Sequence, residues 1–127
     1  MHKTSITHIS NEHNDWLRAL AFYKQELNIL KERLTEIAGK NSDHSLGPVI
    51  EHYQNQFEIQ LSNVSLVYHA INKNVHDLAT EVKQNIASYV DTRLVEQHYK
   101  LKEMYNTEEK TINELRHTFN RFAAEWM

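Results

Sequence analysis

Apolar residues recur along this chain in alternating steps of four and three, the spacing of one face of a long α-helix. The first such segment runs from about residue 11 to residue 38. Ser10 or Asn11 could cap its start, and Gly39 would end it in a left-handed conformation. Its regularly spaced apolar positions are Trp16, Leu20, Tyr23, Leu27, Leu30, Leu34 and Ile37.

A second segment follows a polar loop at residues 40–47, and Pro48 suits the first turn of its helix. The phase of the pattern passes through Asn72-Lys73-Asn74 unchanged, although those residues resemble a turn. We therefore expect one helix of roughly 37–40 residues, about 55–60 Å long. The apolar positions are Ile50, Phe57, Leu61, Val64, Tyr68, Ile71, Val75, Leu78 and Val82.

In the third segment the phase has slipped by two, which places a turn near residues 86–91, with Asp91 or Thr92 capping the next helix. Asn106-Thr107-Glu108-Glu109 is a rival break, because it resembles a capping box. The apolar positions are Leu94, Leu101, Tyr105, Ile112, Leu115, Phe119, Phe122 and Trp126, and the polar residues His98 and Glu108 complete the same spacing.

These patterns predict an all-α fold in which residues 1–127 form a single domain, an antiparallel bundle of three long helices. If both asparagine-containing stretches were turns, the chain would instead be a four-helix up-and-down bundle. A continuous rod from Pro48 onward is a third possibility.

A second apolar stripe lies outside the main pattern, on helices one and two. Phe22 and Ile29 are seven residues apart on the first helix. Ile59 and Leu66 are seven apart on the second, with Val67 beside them. Antiparallel pairing would bring the two pairs to about the same height, so we expect a homodimer interface there. The alternative is that these are single exposed apolar residues without a role.

Three polar residues occupy core positions: His13, His98 and Glu108. As weak metal-ligand candidates they would suit a hemerythrin-like or ferritin-like bundle. The more ordinary interpretation is that they set the register of the helices, as a buried asparagine does in a coiled coil. We expect Glu108 to accept the Tyr68 hydroxyl or to pair with Arg18. We expect His98 to lie level with residue 78, in a wetter end of the bundle.

Composition, charge and the absence of known motifs disfavour several classes of protein. The 127 residues carry a net charge of −3 and no cysteine. The charges alternate in sign instead of clustering, which disfavours a nucleic-acid surface and a membrane-surface helix. No glycine-rich phosphate loop or nucleophile motif is present, so we expect no cofactor and no enzymatic activity. No run is apolar enough for a membrane span or a secretory signal, and we expect a cytoplasmic location.

The functional hypothesis is therefore a non-enzymatic interaction or structural protein that self-associates through helices one and two, its other partners being unknown. The alternative is a metal-binding helical bundle that uses histidine and glutamate side chains.

Overall fold

A computed structural model describes residues 6–84 and 92–126, which form three long α-helices and one short 3-10 turn. Helix α1 spans Ile6–Lys40, α2 spans Gly47–Gln84 and α3 spans Thr92–Trp126, while the 3-10 turn spans His44–Leu46. The prediction of an all-α bundle of three long helices is confirmed. Both asparagine-containing stretches are helical, so the four-helix alternative is wrong. The predicted turn at residues 86–91 lies outside the described residues.

Helix α1 is longer than the sequence pattern predicted. It begins at Ile6 instead of near Asn11, so Ser10 and Asn11 lie inside the helix and do not cap it. Ile9 is 1% exposed, and the burial of its side chain stabilises the additional turns. Gly39 is also helical, and no described glycine has a positive φ. The predicted left-handed stop at Gly39 is therefore wrong.

The connection between α1 and α2 is held by Asp43. Its Oδ1 accepts hydrogen bonds from the Ser45 amide at 2.9 Å and from the Ser45 hydroxyl at 2.8 Å, and its carbonyl accepts from the Leu46 amide at 3.1 Å. Leu46 is buried beneath this turn. Pro48 lies in the first turn of α2, as predicted. An aspartate side chain capping a tight turn and a proline opening the next helix together fix the reversal of chain direction.

The three helices run up, down and up. The Phe57 ring lies 5.1 Å from that of Phe119, and Asn74 Nδ2 donates to the Leu94 carbonyl at 3.3 Å, so α2 and α3 are antiparallel. Contacts between α1 and α3 advance together along both chains and show that these two helices are parallel. They join His13 with His98, Tyr23 with Glu109 and Glu26 with Arg116.

Helix α2 buries a wider stripe than the sequence pattern predicted, because it packs against both other helices. Four of its predicted core residues are fully buried: Phe57, Val64, Ile71 and Leu78. Their buried neighbours include Tyr53, Gln60, Val67 and Asn74, whereas the predicted Leu61, Tyr68 and Val75 are only half-buried. None of the described helices is long and apolar enough to cross a membrane. The missed stripe faces α3 and brings polar side chains into that interface.

Candidate functional site

Two of the predicted polar core residues meet where the N-terminal halves of α1 and α3 pack together. His98 Nδ1 lies 3.1 Å from His13 Nε2, and both side chains are at most 1% exposed. The Trp16 ring stacks on His98 at a centroid distance of 5.0 Å, and Tyr105 stacks on Trp16 at 5.7 Å. The expectation of a wet, thin end at His98 is wrong, because the early start of α1 covers it.

Burial favours the neutral form of both imidazoles. Burial, and then the nearby His98, lower the pKa of His13 from 6.5 to about 4. Burial also lowers the pKa of His98, although the Glu12 carboxylate opposes it. Two adjacent imidazolium rings without water would repel each other, while two neutral rings can share one N–H···N hydrogen bond. The buried histidine pair is therefore more stable at neutral pH than at acidic pH.

Glu12 connects this histidine pair to the surface. Its Oε1 accepts from His98 Nε2 at 3.2 Å and from His8 Nε2 at 2.9 Å, and its Oε2 pairs with Lys102 Nζ at 3.1 Å. Burial alone would raise the pKa of Glu12, but the hydrogen bonds from Lys102 and His98 hold it below its usual value. A carboxylate that fixes the outer nitrogen of His98 also fixes which nitrogen of that ring faces His13.

This arrangement does not favour the metal-binding alternative. Among the described residues, no group of three or more histidine or carboxylate side chains could hold a metal ion. The structure brings His13 and His98 together, but their facing nitrogens are used by each other. Glu108 lies ten residues beyond His98 on α3, about 15 Å along the helix axis. The three candidate ligands therefore do not share one site.

Buried and half-buried carboxylates at the α1–α3 interface have partners within the chain. Glu109 accepts from the Tyr105 hydroxyl at 2.6 Å and from the Tyr23 hydroxyl at 3.1 Å. Burial and these hydrogen bonds raise the pKa of both tyrosines. Further along, Arg116 Nη1 donates to Glu26 Oε1 at 2.6 Å. Each carboxylate here is offset by a donor from the neighbouring helix, as desolvated charge requires.

Glu108, the residue next to Glu109, has a buried Oε1 without a hydrogen-bond partner. Glu26 Oε2 is also buried and unpartnered, but Glu26 Oε1 accepts from Arg116, whereas no hydrogen bond or ion pair of the described residues involves Glu108. The side chain is 6% exposed, and burial raises its pKa from 4.5 to about 7. Neither partner expected from the sequence reaches it, since Arg18 pairs with Asp15 at 3.4 Å instead. The expected Tyr68 or Arg18 partner for Glu108 is therefore wrong.

Glu108 lines an open groove between α2 and α3. Beside it lies Gln60, which is 5% exposed and whose Oε1 also lacks a partner. Leu66 in the groove is 64% exposed, and Met104 on the facing helix is 45% exposed. The remaining lining residues are Asn63, Val67, Lys100, Glu103, Thr107 and Thr111. We call this set the α2–α3 groove.

The five predicted interface residues do not lie on one surface. Phe22 and Ile29, 57% and 53% exposed, border a groove between α1 and α3 that also contains Arg116. Leu66 borders the α2–α3 groove, and Ile59, 48% exposed, lies two turns away on the same helix face. Helix α3 separates these two pairs.

Val67, the fifth predicted interface residue, is 6% exposed and belongs to the core, where it also lines the α2–α3 groove, so its expected exposure on an outer face is wrong. It lies one position after Leu66 on a helix, and that step of about 100° turns its side chain inward toward α3. Its burial follows from the wider stripe of α2, which the sequence pattern did not include.

No family model, no curated protein sequence and no solved structure matches this chain. The candidate site is therefore defined by its own geometry. Sequence reasoning identified Glu108 but missed Gln60, Lys100 and Met104. One signal was present: Lys100, Met104 and Glu108 follow each other at steps of four, which places them along one side of a helix.

Proposed function

We propose that this protein is a non-enzymatic, cytoplasmic helical bundle that acts by self-association, and that the α2–α3 groove is the surface through which two copies meet. This keeps the homodimer expected from the sequence but moves its surface. The groove combines residues of α2 with residues of α3, whereas the sequence pattern suggested an outer face shared by α1 and α2.

The observation that carries the proposal is the unpaired oxygen of Glu108 beneath an exposed apolar rim. A buried carboxylate without a donor is costly. Glu109 on α3 accepts from Tyr23 on α1, and Glu26 on α1 accepts from Arg116 on α3, whereas Glu108 Oε1 has no partner. Leu66 and Met104 beside it are exposed far more than a core residue would be. A second chain would cover the apolar rim and could supply the missing donor.

The test is sedimentation of the parent protein and two single variants over a range of concentrations. Leu66→Glu places a charge in the α2–α3 groove, and Ile29→Glu places the same charge at a similarly exposed site in the α1–α3 groove. We expect the parent to dimerise, Leu66→Glu to weaken the dimer roughly tenfold or more, and Ile29→Glu to behave like the parent.

Circular dichroism should show equal helix content in all three proteins, because both replaced side chains are exposed. A parent that stays monomeric at millimolar concentration contradicts the proposal. So does a Leu66→Glu variant that dimerises as tightly as the parent. If only Ile29→Glu weakened the dimer, the interface would lie in the α1–α3 groove instead.

A further inference from the structure

We infer that two copies of this chain pair about a two-fold axis at Met104, with the α3 helices antiparallel and Lys100 of each copy against Glu108 of the other. This inference rests on the proposed self-association and specifies its geometry. It follows from the order of residues along α3 and from which charges in the groove lack partners.

The spacing of these residues is symmetric. Met104 lies four residues after Lys100 and four residues before Glu108, so each charge is about 6 Å along the helix axis from Met104. When two identical helices cross in opposite directions at Met104, residue 100 of one copy lies level with residue 108 of the other. A two-fold axis repeats the contact, which is the self-complementarity that a closed dimer requires.

The charges are available for this pairing. Lys102, two residues along, is held by Glu12 in its own chain, but Lys100 has no ion-pair partner among the described residues. Both Lys100 and Glu108 line the α2–α3 groove. The lysine ammonium offers three donors and the carboxylate accepts them, so both groups would be satisfied at once.

The apolar residues around Lys100 and Glu108 also favour a second copy of this chain as the binding partner. Met104 would meet its own copy at the axis, and Leu66 would cover the adjacent apolar edge. The flexible, polarisable thioether suits self-packing at a symmetric contact. A partner of unrelated sequence would have to present a cation at the same distance from an apolar centre. A second copy of this chain presents it by symmetry.

Single cysteines test the axis directly, because the chain contains no cysteine. Met104→Cys places two thiols at the axis, and we expect mild oxidation to convert it to a disulfide-linked dimer. The control is Lys110→Cys on the same helix, outside the α2–α3 groove. Its two thiols would lie about 18 Å apart along the axis, so we expect little cross-linking.

Charge exchange tests the pairing. We expect Lys100→Glu to weaken the dimer roughly tenfold or more, Lys110→Glu to leave it unchanged, and a mixture of Lys100→Glu with Glu108→Lys to dimerise more tightly than either alone. Glu108→Gln keeps the test decisive if Glu108→Lys does not fold, since it removes the charge without adding bulk and should also weaken the dimer.

The outcomes separate the inference from the proposal on which it rests. A parent dimer that tolerates Lys100→Glu as well as Lys110→Glu, or cross-links equally through residues 104 and 110, overturns the two-fold geometry but leaves self-association standing. A parent that is monomeric at millimolar concentration overturns both.

Discussion

Replacing Glu108 with glutamine should stabilise the monomer at neutral pH. Burial raises the pKa of this carboxyl from 4.5 to about 7, and Lys100 and Glu103 are the charged groups that line the groove beside it. Because the folded chain binds the proton more tightly, the protonated carboxyl stabilises the fold below pH 4.5, and this contribution is lost as the pH rises through about 7. Glutamine has nearly the same shape and cannot ionise.

The size of the effect follows from the pKa difference. At about 1.4 kcal/mol per pKa unit, keeping an ionised Glu108 in the folded monomer costs about 3 kcal/mol. The variant should therefore gain about 3 kcal/mol over the parent near pH 7, and only about 1 kcal/mol near pH 5, where the penalty has largely gone. The difference between the two pH values is the diagnostic quantity.

The assay is urea unfolding followed by circular dichroism at pH 5 and pH 7, at a concentration where sedimentation shows only monomer. Glu103→Gln is the matched control, since it removes an exposed carboxylate from the same groove and should change stability by less than about 0.5 kcal/mol. The reasoning fails if Glu108→Gln is no more stable than the parent at pH 7, or if its advantage is the same at both pH values.

Two further perturbations test the core. His13→Gln should reduce the loss of stability on acidification. Burial and the adjacent His98 lower the His13 pKa from 6.5 to about 4. The contribution of neutral His13 to the free energy of unfolding is therefore present above pH 6.5, and about 2 kcal/mol of it is lost by pH 5. If the variant lost as much stability as the parent between these pH values, the lowered pKa of His13 would be contradicted. Asn72→Pro should cost about 3 kcal/mol or more in thermal unfolding, because Asn72 lies inside the continuous helix α2, whereas Asn72→Ala should be nearly neutral. A proline tolerated there would indicate a turn.

The spacing of apolar residues predicted the number of helices, most of the core, and the burial of three polar residues. This succeeded because helical periodicity is a local property: Glu108 is buried since it continues the spacing of Tyr105 and Ile112, whatever its chemistry. The heights of residues on neighbouring helices were predicted less well. They depend on where the chain reverses. Residue 78 was expected to lie level with His98, whereas the hydrogen bond from Asn74 to the Leu94 carbonyl places residue 70 at about that level.

A single seven-residue pattern also did not predict the width of the buried stripe on α2. A helix that packs against two others buries two edges, and the second edge is polar at Gln60 and Asn74. Polar residues at that spacing look like a solvated face until the third helix is in place. For the same reason, Leu66 could be recognised as exposed from the sequence, but the groove that it borders could not.

A comparison of Glu109 with Glu108 supports the proposal that a second chain covers the candidate site. A polar core residue that only sets helix register must be satisfied inside the chain, as Glu109 is by the hydroxyls of Tyr23 and Tyr105. Glu108 has the burial of such a residue without a partner for its Oε1. Methionine or leucine would fill that position without the cost of desolvating a carboxyl. A carboxylate there becomes favourable when a donor arrives from outside, and in the dimer that we propose Lys100 of the second copy would provide it.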